Sequence, residues 1–133
     1  MLPTTLLIAL IAFCSPGPAR GASAQVFTKA QAEAGAKSYQ THCAPCHQSD
    51  LSGMAVPSLV GPVFLRRWGK HTTGELFDYV KSRMPHDDPD SLPEAEYADI
   101  VAFIMATNGA LPGGNALTGS TQVRLNLVIH AAK

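Results

Sequence analysis

Apolar residues recur at helical intervals in three stretches of this chain and at strand-like intervals in a fourth. Ala32, Gly35, Ala36, Tyr39 and Cys43 follow one another at steps of three or four, which predicts a helix. Its face is made of small residues, so a second helix can cross it closely. That crossing accounts for Gly35, which a helix interior otherwise disfavours. Thr28, with Gln31 three residues on, forms a capping box for the start. Leu76, Phe77 and Val80 share one side of a second predicted helix. Thr73 is its expected cap, and it ends near Arg83 because Pro85 disfavours helical backbone at Met84. Tyr97, Ile100, Val101 and Ile104 trace i, i+3, i+4, i+7 of a third helix. Ser91 and Glu94 make its expected capping box, and Asn108-Gly109 stops it. Phe64 to Trp68 predicts a further short turn or helix.

The remaining stretches are loops and a tail. Gln48 to Pro62 is rich in Gly, Ser and Pro, and Pro85 to Pro93 carries Asp87, Asp88 and Asp90. Beyond the turn-rich Leu111-Pro112-Gly113-Gly114, Val123, Leu125, Leu127 and Ile129 alternate with their neighbours. That is the period of a strand, broken at Val128. A lone strand needs a partner, so the tail is expected to lie against the domain or to dock on another subunit. The fold class is all-α: about three main helices and an extended C-terminal tail, with no internal repeats.

The chain has 133 residues and three cysteines. Leu6 to Phe13 is an apolar run, Pro16-Gly17-Pro18 breaks it, and Ala22-Ser23-Ala24 is an A-x-A cleavage site. Residues 1–24 thus read as a signal peptide, although no Lys or Arg precedes the apolar run. Cys14 falls inside it, and Phe13 stands where a lipoprotein site wants a small residue. The organisation expected is signal 1–24, domain 25–109 and tail 110–133. The apolar run is too short to span a bilayer, and no transmembrane segment is expected in the mature chain. Export leads to an oxidising compartment, the bacterial periplasm. Removing residues 1–24 takes away Arg20 and no acid, leaving nine basic against ten acidic residues. That balance gives no reason to expect nucleic acid as a partner. Arg66, Arg67, Lys70, Lys81 and Arg83 precede Met84, and six acids from Asp87 to Asp99 follow it. This asymmetry can orient a docking partner; for most of these residues an ordinary solvated face explains it equally well.

Cys43-Ala44-Pro45-Cys46-His47 carries the chemistry. It reads C-x-x-C-H, the pattern of covalent haem c attachment. Two thiols one helical turn apart can add to the two haem vinyl groups, and the adjacent His47 imidazole can reach the iron. A redox dithiol is the rival reading, but it usually opens a helix within a βαβ unit, which this chain lacks. Zinc needs two further ligands, and no third mature cysteine exists. A backbone carbonyl in the following loop would be placed to accept the other ring N–H of His47, fixing its tautomer. The second axial ligand is drawn from Met54, Met84, Met105, His42, His71, His86 and His130. Met54 follows His47 too closely, Met105 lies on an apolar helix face, and His42 shares the motif's side. Met84, at a helix end before Pro85, is preferred, with His71, His86 or an open site as alternatives. A thioether favours ferrous iron and raises the reduction potential.

At this point the residues resemble a known family. From about Thr28 to Gly109 the chain resembles class I cytochromes c. It is most similar to the small cytochrome c subunits and domains that accompany pyrroloquinoline-quinone-dependent alcohol and related dehydrogenases. The resemblance rests on Gly35, Tyr39, Cys43 to His47, Leu51-x-Gly53, Pro57-x-Leu59-x-Gly61, Phe64 and Trp68. It continues through Leu76-Phe77, Met84-Pro85, Ser91-Leu92, Tyr97 to Ile104, and Asn108-Gly109-x-x-Pro112-x-Gly114. It implies that Gly35 and Tyr39 sit where the first and third helices cross, meeting Ile100, Val101 and Ile104. It implies that the Pro57 carbonyl accepts from His47, that Leu59 packs on the haem, and that Trp68 lies near a propionate, with Arg66 or Arg67 beside it. Simple core packing is as good a reading of Trp68, and solvent exposure is the better one for the arginines. Gln48 departs from the family, where Gly often follows the motif.

The function expected is an exported monohaem cytochrome passing single electrons. The donor would be a dehydrogenase, a quinoprotein by the resemblance, and the acceptor another cytochrome or a terminal oxidase. The chain would not itself be an enzyme. The alternatives are a haem enzyme or gas sensor with an open or labile distal site, and an exported thiol oxidoreductase.

Overall fold

A computed structural model describes residues 24–129; the expected signal segment, apart from Ala24, and His130 lie outside them. Thr28 Oγ1 accepts from Gln31 N at 3.2 Å and Gln31 Oε1 accepts from Thr28 N at 3.2 Å. That box opens helix α1, Lys29–His42. A single turn, α2, Ala44–His47, follows with Pro45 in its first turn, where a missing N–H costs nothing. Helix α3 spans Gly61–Trp68. Helix α4 spans Thr73–Arg83, helix α5 Glu94–Thr107, and α6 Leu125–Ile129.

Two caps differ from expectation. The cap of α4 is Thr72, whose box closes with Glu75. A box needs an acceptor side chain three residues on; Thr72 has Glu75 there, whereas Thr73 has Leu76. Helix α5 starts after Pro93 with no side-chain cap, so the Ser91–Glu94 box does not form. Glu94 instead turns its carboxylate to Lys81 Nζ at 3.4 Å. Glu94 and Glu96 in the first turn still complement the helix dipole.

The core forms where α1 crosses α5, the largest helix–helix contact among the described residues. A Cβ built at Gly35 would fall on the Asp99 carbonyl. The two backbones therefore touch, which explains the glycine. The Tyr39 and Phe103 rings pack beside the crossing, centroids 5.2 Å apart. Ile100, Val101, Ile104 and Met105 complete a buried layer. Met105, one of the candidate ligands, is fully enclosed in it.

The tail departs from the strand-like reading. Leu125–Ile129 is a short helix, and residue 124 makes only an isolated bridge to Thr72. Leu125, Val128 and Ile129 are buried while Leu127 is 57% exposed. The buried set is i, i+3, i+4, a helical spacing that the alternation concealed. With no neighbouring strand to pair with, the backbone satisfies itself through a helical turn and bonds to the domain. The tail wraps the domain on its way. Gly113 N donates to Phe27 O at 2.8 Å. Leu117 exchanges two hydrogen bonds with the Gln31 amide, at 2.7 and 2.9 Å.

Candidate functional site

Helix α1 leads directly into the cysteine motif. Cys43 closes α1 with its N–H on Tyr39 O and its own carbonyl receives Cys46 N at 3.2 Å and His47 N at 2.9 Å. One turn thus sets both sulfurs on the same short segment, with His47 next along. Cys46 is exposed and Cys43 half-buried.

His47 is buried, and its Nδ1 lies 3.2 Å from Pro57 O. A carbonyl can only accept, so Nδ1 carries the proton and Nε2 keeps its lone pair. Burial holds the imidazole pKa below its ordinary value, and the Pro57 bond opposes that in part. The neutral ring this favours is the form that ligates a metal. Burial also pushes the Cys43 thiol up to about 11, with Glu96 adding to it. Reactive dithiols depend on a lowered pKa, so Cys43 is a poor candidate for thiol–disulfide chemistry.

Bonds from both long helices fix the loop after the motif. Tyr39 Oη donates to Gln48 O at 2.8 Å. Leu59 N donates to Leu51 O at 2.9 Å, and Leu59 O accepts from Asn108 Nδ2 at 2.9 Å. Asn108 Oδ1 also receives Gly61 N at 2.8 Å. The sequence marked Asn108 only as a helix stop; in the fold it ties the end of α5 to the Pro57–Leu59 loop. Leu59 itself is half-buried against the core.

Met84 stands at the end of α4 in extended backbone, with its N–H on Val80 O. Its carbonyl accepts from Tyr97 Oη at 2.8 Å. Tyr97 was expected only as part of an apolar face; a tyrosine among aliphatic positions was the available signal for a polar role. A cleft of about 340 Å³ beside Met84 is lined by Tyr79, Ser82, Arg83, His86 and Pro89. Trp68, 8% exposed, belongs to an aromatic cluster: its ring centroid lies 5.3 Å from His71 and 5.1 Å from Tyr79. Arg67 stacks over both Trp68 and Tyr79, and Arg83 over Tyr79. His71 is drawn to Glu75 at 3.5 Å, His42 to Glu96 at 3.4 Å. Met54 is 85% exposed. No cluster of three or more His, Cys, Asp or Glu suited to a metal ion occurs among the described residues, which leaves the zinc reading without further ligands.

Helices wrapped round a C-x-x-C-H turn, with an oriented histidine inside, define a small c-type cytochrome domain. The model of the family described as cytochrome C oxidase, cbb3-type, subunit III matches residues 30–104. The chain belongs to this family of class I c-type cytochrome domains. No curated protein and no solved structure matches it.

Membership implies one covalent haem c with its iron, which supplies a one-electron ferric/ferrous couple. The residues present fit it. Cys43 and Cys46 offer paired thiols on one turn, and His47 offers Nε2 with Nδ1 already engaged. The chain is an electron-transfer protein whose partners are redox proteins. None of its described helices is long and apolar enough to cross a membrane.

Proposed function

We propose that this protein is a periplasmic monohaem cytochrome with a closed His/Met site, exported by residues 1–24. Cys43 and Cys46 tether the haem, and His47 and Met84 ligate its iron. Leu59 packs on the macrocycle, and Trp68 lies at the propionate edge. The observation carrying this reading is the Pro57 carbonyl on His47 Nδ1, which leaves the lone pair of Nε2 free for a metal. Met84 is the preferred partner because its backbone is held on both sides, by Val80 O and by Tyr97 Oη. Of the histidine alternatives, His71 is engaged by Glu75. With both axial positions filled, oxygen and peroxide have no place to bind, and single-electron transfer is the remaining task.

The donor we propose is a quinoprotein dehydrogenase. This rests on the likeness of the stretch from Gly35 to Gly114 to the small cytochromes of such enzymes. The acceptor is a further cytochrome or a terminal oxidase, and the description of the matched family names an oxidase subunit.

Ferric and ferrous absorption spectra of the exported protein, with and without carbon monoxide, test the site. The expected result is a ferric methionine-to-iron charge-transfer band, lost in Met84→Ala, and a ferrous form that ignores carbon monoxide. A missing band with ready carbon monoxide binding would replace this reading with the enzyme or gas-sensor one.

A further inference from the structure

Thr73 and His47 are the two buried polar residues among those described. His47 has a function; Thr73, fully enclosed, sits far along the chain from the motif. It is the first residue of α4, the helix that ends at Met84. Its Oγ1 donates to Thr121 O at 2.6 Å and accepts from Val123 N at 3.3 Å. Its own N–H donates to Val123 O at 2.8 Å. One threonine thus clasps residues 121–123 by both backbone and side chain.

Neighbouring bonds extend the clasp. Thr72 Oγ1 donates to Gln122 Oε1 at 2.6 Å. Leu125 N donates to His71 O at 2.9 Å, and Asn126 N to Gly69 O at 3.0 Å. A Cβ built at Gly119 would lie 2.7 Å from Phe77 Cε1, so the tail backbone also rests on the inner face of α4. The tail is itself anchored at Leu117 through Gln31, and by the buried Leu125, Val128 and Ile129. The tail residues that make these contacts lie beyond the family match, which ends at residue 104, while their partners lie within it.

Helix α4 has eleven residues, a rod about 16 Å long. The tail holds one end of it and Met84 leaves from the other. Held at Thr73 and again one turn on, where Gly119 meets Phe77, the rod has its direction fixed as well as its start, and with them the position of its tip. We infer that Thr73 is a positioning residue: through it, residues 117–129 form a strap that sets α4 and keeps Met84 in place for ligation. The inference rests on Met84 being the second axial ligand.

The test uses the full-length haem-loaded protein and three substitutions. Thr73→Val keeps the shape and loses both Oγ1 bonds, Thr73→Ser restores them, and Ala34→Gly, at an exposed position inside α1, weakens that helix while leaving the Gln31 anchor and α4 as they are. The readouts are the thermal midpoint and the pH at which the ferric methionine-to-iron band disappears. Thr73→Val should lower that pH by about one unit, a tenfold easier displacement of the thioether. Thr73→Ser should recover it. Ala34→Gly should lower the thermal midpoint and leave the pH of band loss unchanged. Should Thr73→Val fail to hold haem, Leu125→Ala loosens the strap at its buried anchor, and its effect on the band should match. If the band-loss pH in the strap variants moves no further than in Ala34→Gly, the strap only stabilises and the inference falls. A wild-type protein without the band overturns the Met84 reading, and the strap inference with it; a wild-type band that survives Met84→Ala does the same.

Discussion

The α1–α5 crossing and the segments around His47 and Met84 are held by different forces. At the crossing, backbone touches backbone at Gly35, and Tyr39, Val101, Ala102 and Met105 are wholly enclosed. In the motif and the residues after it, Cys46 is exposed, Met54 is 85% exposed and Val63 46%. There the chain is fixed by single hydrogen bonds at chosen points: His47 to Pro57, Tyr39 to Gln48, Tyr97 to Met84. Among the described residues, the non-glycine positions with left-handed backbone, Gln48, Leu51 and Asp90, all stand in the loops that follow His47 or Met84. Shape complementarity builds the frame, and directed bonds aim the functional groups. The first tolerates almost no change of volume; the second tolerates volume but not a lost donor.

The largest expected effect breaks the frame. Gly35→Ala places a methyl group on the Asp99 carbonyl, and neither backbone can yield without separating the helices. The loss should be about 3 kcal/mol, read from thermal or denaturant unfolding. A midpoint within about two degrees of wild type would show that the helices are not in close contact.

A smaller effect, of opposite sign, comes from the loop after His47. Gln48 has φ 66° and ψ 155°, a region that only glycine enters without strain. Gln48→Gly should raise stability by about 1 kcal/mol after its own entropic penalty. Gln48→Ala should not, since it keeps the Cβ. A glycine variant less stable than wild type would mean that the glutamine side chain contributes more than its backbone costs.

The smallest effect returns to the crossing. Burial raises the pKa of Asp99, with Glu96 adding to it and the Gln31 hydrogen bond opposing. A raised carboxylate binds its proton more readily in the folded state than in the unfolded one. Stability from this group is therefore greatest at low pH. It declines as pH rises from the ordinary carboxylate range through the raised folded pKa. Asp99→Asn should increase the thermal midpoint at neutral pH and lose that advantage in acid below the ordinary carboxylate range. An advantage independent of pH would point to packing instead of charge.

Much of the frame was readable from spacing alone. The Thr28–Gln31 box, the four positions Tyr97 to Ile104 and the close approach at Gly35 all follow from local chemistry and helical periodicity. The motif Cys43 to His47 was readable because covalent chemistry demands fixed spacing. Contacts between distant residues were not readable. Asn108 and Tyr97 act through bonds to residues 49 and 13 positions away, and nothing local distinguishes such side chains from a helix stop or a core filler. The tail misled for another reason. Alternation over a few residues fits a strand or a short helix equally well, and Val128, the position that spoiled the pattern, is as fully buried as Leu125.

The strap also has a consequence for the order of folding. The bonds that close it join residues 48 positions apart at Thr73–Thr121 and 86 apart at Gln31–Leu117. Loops of that length close late, because chain entropy must be lost before any contact repays it. The segment bearing Cys43 and Cys46 precedes the strap in synthesis, so both thiols are presented while α4 is still free to move. Closure of the last residues onto Thr73 then acts as a latch, separating a permissive stage of assembly from a finished one.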